Sequence, residues 1–267
     1  MNKNNYILIY WNAILVDFSE NITRCKKRLT KKAIHDLRVD IKRIRSTLRF
    51  RKRLSGKKWK DNFKASKDLF KALGSVRDFD MSVSTLRKYS KNENLQFPEL
   101  IKYLARRRTA QARKIKEDIN LFDHFLILQF NPEIYRFAGP MSNLVIVRKI
   151  KLAVKSELKK TRALSKNFDK NIHQIRKQLK NVYYWLKMIP KEKFRDLIDI
   201  QILDKSLDKL GKWQDLFILK GNINSYLTTE SPEELEKNSL RLFTRKISRE
   251  QVQLAQKAKE EWNKLFK

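Results

Sequence analysis

An all-α fold built from two related helical bundles is what this sequence of 267 residues predicts. Apolar residues recur at steps of three and four through most of the chain, and no stretch alternates convincingly with period two. Only 5 Gly and 5 Pro interrupt the sequence, which favours long helices over strands and turns. Two stretches, beginning at His35 and at His173, repeat one pattern of apolar and basic residues 138 positions apart.

The first helix is expected from about Asn4 to Leu29. Its apolar run Tyr6–Val16 is shorter than the roughly 20 residues that a membrane span needs, so it reads as a buried helix face. Asp17 and Glu20 follow that run and no small-residue cleavage site is evident, which argues against a secretory signal. A basic helix follows from about Lys31 to Arg53, ended by Ser55-Gly56. A third helix is expected from about Trp59 to Leu73. Gly74 marks a bend or a close approach, a fourth helix begins near Val76, and Lys91 to Asn94 form a loop. Phe97 to Phe130 reads as mostly helical. Asn131-Pro132 and Ala138-Gly139-Pro140 bracket the boundary between a first half of about 1–135 and a second of about 141–267. The second half repeats the order, with helices near Asn143–Asn167, Lys170–Met188, Phe194–Leu210 and Lys212–Leu227. Thr228 to Pro232 is a loop in which Ser231 can cap, and Pro232 can start, a last helix reaching Phe266.

Placed on a helix, Leu37, Ile41, Ile44 and Leu48 form one apolar stripe, and His35, Arg38, Lys42, Arg45 and Arg49 form the stripe beside it. Residues three and four apart on a helix sit roughly 5–6 Å apart, so like charges in a row repel. Such a row is sensible when something anionic lies along it. In the second stretch Ile175, Leu179, Val182 and Leu186 repeat the apolar stripe. His173, Arg176, Lys180 and Lys187 repeat the polar one, with Tyr183 where Arg45 stands in the first. A second marker keeps the register: Leu73-Gly74-Ser75-Val76-Arg77-Asp78 recurs as Leu210-Gly211-Lys212-Trp213-Gln214-Asp215, with 137 residues between Asp78 and Asp215. The two matches in one order predict an internal duplication.

The 62 Lys and Arg against 29 Asp and Glu leave a formal charge of +33, which predicts a polyanionic partner. Nucleic acid, an acidic membrane surface and inorganic polyphosphate all satisfy charge alone. A nucleic-acid reader would be expected to interleave aromatics with its basic surface, and no such motif is found. Phosphoryl transfer usually needs a metal-holding carboxylate pair, an activated nucleophile or a glycine-rich phosphate loop. None is visible, so the expectation is a binding protein rather than an enzyme, with no cofactor. Cys25 is the only cysteine, so neither an intrachain disulfide nor a multi-cysteine metal site can form. Each histidine is either a satisfied core residue or a ligand contact. Arg38 and Arg176 either pair with Asp40, Asp78 or Asp215 or contact phosphate directly. Asp78 and Asp215 read as helix caps or as orienters of the basic residues, with no second carboxylate close to either. The run Arg106-Arg107-Arg108 is either a solvated face or part of the site, with Arg107 and Arg108 as its candidates.

With both His-x-x-Arg helices and both Leu-Gly-x-x-x-Asp segments placed, the chain resembles a CHAD domain, the conserved histidine α-helical domain, over essentially its whole length. The residues carrying the likeness are His35, Arg38, Val39, Lys42, Arg43 and Arg45 in the first half, and His173, Arg176, Lys180, Tyr183 and Tyr184 in the second. The Leu-Gly-x-x-Arg-Asp segment stands as Leu73 to Asp78, which adds Arg77. The resemblance implies two pseudo-symmetric helical bundles whose basic faces line a central groove or pore. It implies binding of inorganic polyphosphate, and in some members targeting to polyphosphate granules in the cytoplasm. The family often joins this domain to a CYTH-type triphosphate-processing domain, for which this chain has no room. Tyr183 replaces a basic residue of the second motif and Gln214 an arginine of the second Leu-Gly segment. Both changes leave the second half with fewer cations.

Overall fold

The computed structural model describes residues 4–56, 63–93, 96–230 and 232–265. The described residues form an all-α fold without strands. The long helices are α1 (Tyr6–Lys27), α2 (Lys31–Ser55), α3 (Lys64–Glu93) and α4 (Pro98–Leu121). After the short α5 (Phe125–Leu128) and α6 (Asn131–Ala138) come α7 (Asn143–Ser165), α8 (Phe168–Leu186), α9 (Ile200–Thr229) and α10 (Glu234–Lys264).

Helix starts are set by side chains that accept the free N–H groups of the first turn. Asn5 caps α1 at Leu8 N, Thr30 caps α2 at Ala33 N, Ser142 caps α7 at Val145 N, and Asp199 caps α9 at Gln201 N. Gly56 ends α2 at φ 66°, a left-handed conformation that glycine adopts without steric cost. Asn5 is fully buried and its amide also donates to the carbonyls of Ala138 and Met141. It thereby fixes the start of α1 against the segment that links α6 to α7.

Several expected boundaries differ. Gly74 and Gly211 do not divide helices: α3 runs unbroken from Lys64 to Glu93 and α9 from Ile200 to Thr229. A single glycine costs a helix only about 1 kcal/mol, which packing on both sides readily outweighs. The expected start near Trp59 lies outside the described residues. The stretch Lys91–Asn94 is not wholly loop, because α3 reaches Glu93; Asn94 lies outside the described residues. The boundary between halves carries a helix of its own, α6. Phe194 stands after a 3-10 turn (Lys191–Lys193) rather than inside a helix. Ser231 lies outside the described residues, and Pro232 precedes α10, whose N-cap is Glu233.

Four helices make a ring. α2 packs on α3, α3 on α9, α9 on α8, and α8 on α2. Each is backed by an outer helix: α1 behind α2, α4 behind α3, α7 behind α8 and α10 behind α9. The apolar stripe of α2 (Leu37, Ile41, Ile44) and that of α8 (Ile175, Leu179, Val182) are both fully buried. They join Trp11, Ile146 and Trp262 in the larger core. A second core lies between the far ends of α3 and α4 and those of α9 and α10, around Leu100, Leu219 and Phe243. Each core therefore draws on both halves of the chain. Trp185 of α8 ties the basic helices together: its indole N–H donates to the carbonyl of Ser46 at 3.0 Å and its ring lies 5.9 Å from that of Phe50.

Candidate anion-binding site

Burying one stripe of α2 and of α8 against the outer helices turns the neighbouring stripe inward, towards the centre of the ring. Two cavities lie there. The larger, about 820 Å³, is lined by α2, α3, α8 and α9, with Glu250 of α10 at its edge. The smaller, about 400 Å³, is lined by the same four inner helices. Lys42, Arg77, Arg176, Lys180 and Tyr184 line both, so the two cavities adjoin across a layer that is mostly cationic.

The cavities differ in charge. The smaller brings together Arg38, Lys42, Arg45, Arg49, Arg77, Arg176, Lys177 and Lys180, with His173 and one carboxylate, Asp78. The larger mixes His35, Lys88 and Lys212 with Asp204, Asp208, Asp215 and Glu250. The two histidines thus line different cavities, although the stripes they head share the smaller one. His173 Nδ1 lies 2.8 Å from Gln214 Oε1, the side chain standing where Arg77 stands in the first half. In the larger cavity, burial followed by Arg77 and Lys42 lowers the titration of His35, which keeps its imidazole neutral at pH 7.

Phe70, on α3, organises the first stripe. The Arg38 guanidinium lies 4.1 Å from its ring centre, Arg45 at 5.4 Å and the Lys42 ammonium at 5.8 Å. Cations over an aromatic face are attracted by its quadrupole, so one ring partly offsets the repulsion within the row. Arg38 also donates to the carbonyl of Phe70. Gly74, one turn on, makes the room: a Cβ there would stand 2.7 Å from Arg38 Nη1. Of the two roles open to Gly74, close approach is the one the structure shows. Gly211 has no such neighbour within 4 Å. Gly74→Ala is therefore expected to displace the Arg38 guanidinium and to stabilise less than Gly211→Ala, which should add up to about 1 kcal/mol through helix propensity. Urea denaturation of both variants checks this; equal stabilisation would mean that α3 does not position Arg38.

Across the ring, Arg77 lies 3.7 Å from Asp78 and 3.8 Å from Asp215. Each aspartate therefore does have a second carboxylate near it, with Arg77 between them. Burial raises the titration of both, against the nearby arginines. The cations move the other way. Burial, then Arg38, Lys180, Arg77 and Arg176, lowers Lys42 to about 7. Burial lowers Arg38 to about 10, and it lowers Arg45, Arg176 and Lys180 as well. The buried Nε of Arg38 and that of Arg176 have no hydrogen-bond partner among the described residues. The site holds more positive charge than its own carboxylates balance, and an anion placed there would relieve it.

Other residues expected at the site stand elsewhere. Arg43 turns to the α1–α2 interface, 2.6 Å from Asp17 and 3.4 Å from Asp40, over the Tyr10 ring. Asp40 is likewise committed there, hydrogen-bonded to Asn21. Arg108 braces α4, donating to Asp80 and to the carbonyl of Leu29. Arg106 pairs with Glu230, and Arg107 lies exposed over Tyr103. Tyr183 and Lys187 lie together outside both cavities, and Tyr184 reaches the cavities in place of Tyr183. Burial pushes the Tyr184 hydroxyl up to about 12, so it is a hydrogen-bond donor at neutral pH. Phe70, Lys88, Lys177 and, on α9, Asp204 and Asp208 are not among the residues expected at the site. The α3 residues Arg77, Met81, Ser84 and Lys88 form a row at steps of three and four within the helix expected from Val76, but only Arg77 of the four is an expected site residue.

Among the described residues no group of three or more His, Cys, Asp or Glu is arranged to hold a metal, and no helix is long and apolar enough to cross a membrane. A family model for the CHAD domain matches residues 13–224. The fold is similar to the crystal structure of the CHAD domain from the plant Ricinus communis. The TM-score is 0.74 at 16% sequence identity, covering 97% of this chain and 90% of that one. No curated protein matches the sequence.

Proposed function

Because the chain belongs to the CHAD domain family, we propose that it binds inorganic polyphosphate, without catalysis, in the cationic cavity enclosed by α2, α3, α8 and α9. The observation that carries this reading is the composition of that cavity: eight lysines and arginines from three helices face one another with a single carboxylate among them. Polyphosphate is a thin chain with about one negative charge per residue and no bases, and arginine grips its oxygens in pairs while lysine acts as a point charge. A cavity of about 400 Å³ admits such a chain and excludes a duplex. The two aspartates nearest the cations are committed to Arg77, which supports binding rather than metal-assisted transfer. A cytoplasmic location at polyphosphate granules accords with this ligand.

The test is a competition at near-physiological salt between long-chain polyphosphate, single-stranded RNA and duplex DNA, matched for total phosphate. Polyphosphate is expected to win by orders of magnitude. Equal affinities that fade together with salt would make the protein a general polycation instead. The same titration run against pH carries a second expectation. Lys42 titrates at about 7 in the free fold, below the ordinary lysine value. A bound anion raises it, so binding takes up a proton above pH 7, and affinity falls as pH rises from 7 towards 9. Calorimetry in buffers of different ionisation enthalpy measures that uptake directly. Without ligand the sign for folding is opposite: the unfolded chain holds the extra proton above pH 7, so this group's contribution to stability rises with pH across the same window.

A further inference from the structure

Outside the ring, α10 carries a second row of cations that neither the repeated motifs nor the family match, which ends at residue 224, includes. Arg241, Arg245 and Arg249 stand at steps of four on its exposed face, and Lys257 follows two turns on. Arg241 is paired with Glu234 at 3.5 Å. Arg245, Arg249 and Lys257 form no ion pair among the described residues, and neither do Arg148, Lys155 and Lys159 on α7, so their shared row and its position set them apart. Like charges at i and i+4 destabilise a helix. Arg245, Arg249 and Lys257 line an open surface cleft of about 680 Å³ whose described lining residues all belong to α10.

That cleft meets the central site. Glu250 lines both the cleft and the larger cavity, and its carboxylate accepts a hydrogen bond from the hydroxyl of Tyr89, which also lines the cavity. Lys246 of the cleft lies 5.9 Å from the Tyr89 ring, and Lys88 stands beside Tyr89 on the cavity side. A phosphate chain leaving the cavity along α3 thus meets cations again within one side chain's reach. Arg245 to Lys257 then spans about 18 Å of helix.

We propose that polyphosphate chains too long for the central cavities continue over this rim onto the outer face of α10, held there by Arg245, Arg249 and Lys257. The inference rests on polyphosphate being the ligand of the central site. Its consequence is a dependence on chain length that belongs to α10 alone. The experiment compares tripolyphosphate with long-chain polyphosphate on three proteins: the wild type, Arg245→Glu/Arg249→Glu/Lys257→Glu, and a charge-matched control on α7, Arg148→Glu/Lys155→Glu/Lys159→Glu. The α10 variant is expected to bind tripolyphosphate within about twofold of wild type and long chains at least about tenfold more weakly, with a salt slope shallower by about two to three. The control should keep most of the long-chain gain. Glutamine at the same three α10 positions is expected to show the same loss in smaller degree without adding acids. Undiminished long-chain affinity in the α10 variants overturns the inference and leaves the central site standing. Equal losses for both chain lengths, or an equal loss in the control, also overturn it, by assigning the effect to overall charge. If the wild type binds neither chain, the central reading fails and this one with it.

Discussion

Lys42→Glu combined with Arg176→Glu is expected to reduce polyphosphate affinity at least about 100-fold while circular dichroism stays helical. Both side chains line both cavities. Each charge-assisted hydrogen bond to phosphate is worth about 1.5–3 kcal/mol, so removing two reaches that loss before the new repulsion is counted. The fold should tolerate the change, because a carboxylate at 42 faces Arg38, Arg77 and Lys180, and at 176 the loss of attraction to Asp215 is offset by attraction to Arg77. Arg38 is the poorer residue to mutate, since its guanidinium is bonded to the backbone of Phe70 and part of any loss would be structural. Lys187→Glu with Arg107→Glu makes the same change of net charge outside both cavities and should cost only a few-fold, measured by the same titration. Equal losses in the two double variants would mean that the protein's overall field, rather than the ring, holds the anion.

Trp185→Ala is expected to cost about 3–5 kcal/mol in urea denaturation, as a buried tryptophan truncated in a core does. Trp185 is 2% exposed and joins α8 to α2 through the Ser46 carbonyl and Phe50. The loss would fall on the contact that holds the two basic helices side by side, so polyphosphate affinity should drop too, although Trp185 lines neither cavity. Trp185→Phe keeps most of the apolar area and removes only the indole bond from the Ser46 carbonyl, which retains its partner within α2, so it should recover a large part of the stability. A Trp185→Ala protein within 1 kcal/mol of wild type would show that this contact is not a principal tie between the helices.

Much of this was legible in the sequence because it is local. A stripe at steps of three and four is fixed by helix geometry, so the buried faces of α2 and α8 and the orientation of Arg38, Lys42, Arg176 and Lys180 could be read directly. What could not be read depends on residues far apart in sequence. Arg43 sits in the first motif, yet Asp17, 26 positions earlier, draws it to the other side of α2. The three-cation platform at Phe70 carries no sequence signal of its own. Gly74 by its residue type leaves a bend and a close approach equally open, and only the position of Arg38 decides for the second. Two helices expected where α9 runs through place Asp204 and Asp208 apart from Asp215, so the acidic row along α9 has no continuous sequence signal.

The sharing of both cores between the halves has a consequence for how the chain is made. The larger core takes Ala255, Ala258 and Trp262 from the same final helix that gives Leu240, Phe243 and Ile247 to the smaller. A nascent chain emerging from its N-terminus can complete neither core until α10 has been synthesised. Contacts so distant in sequence slow folding relative to helical proteins with local packing.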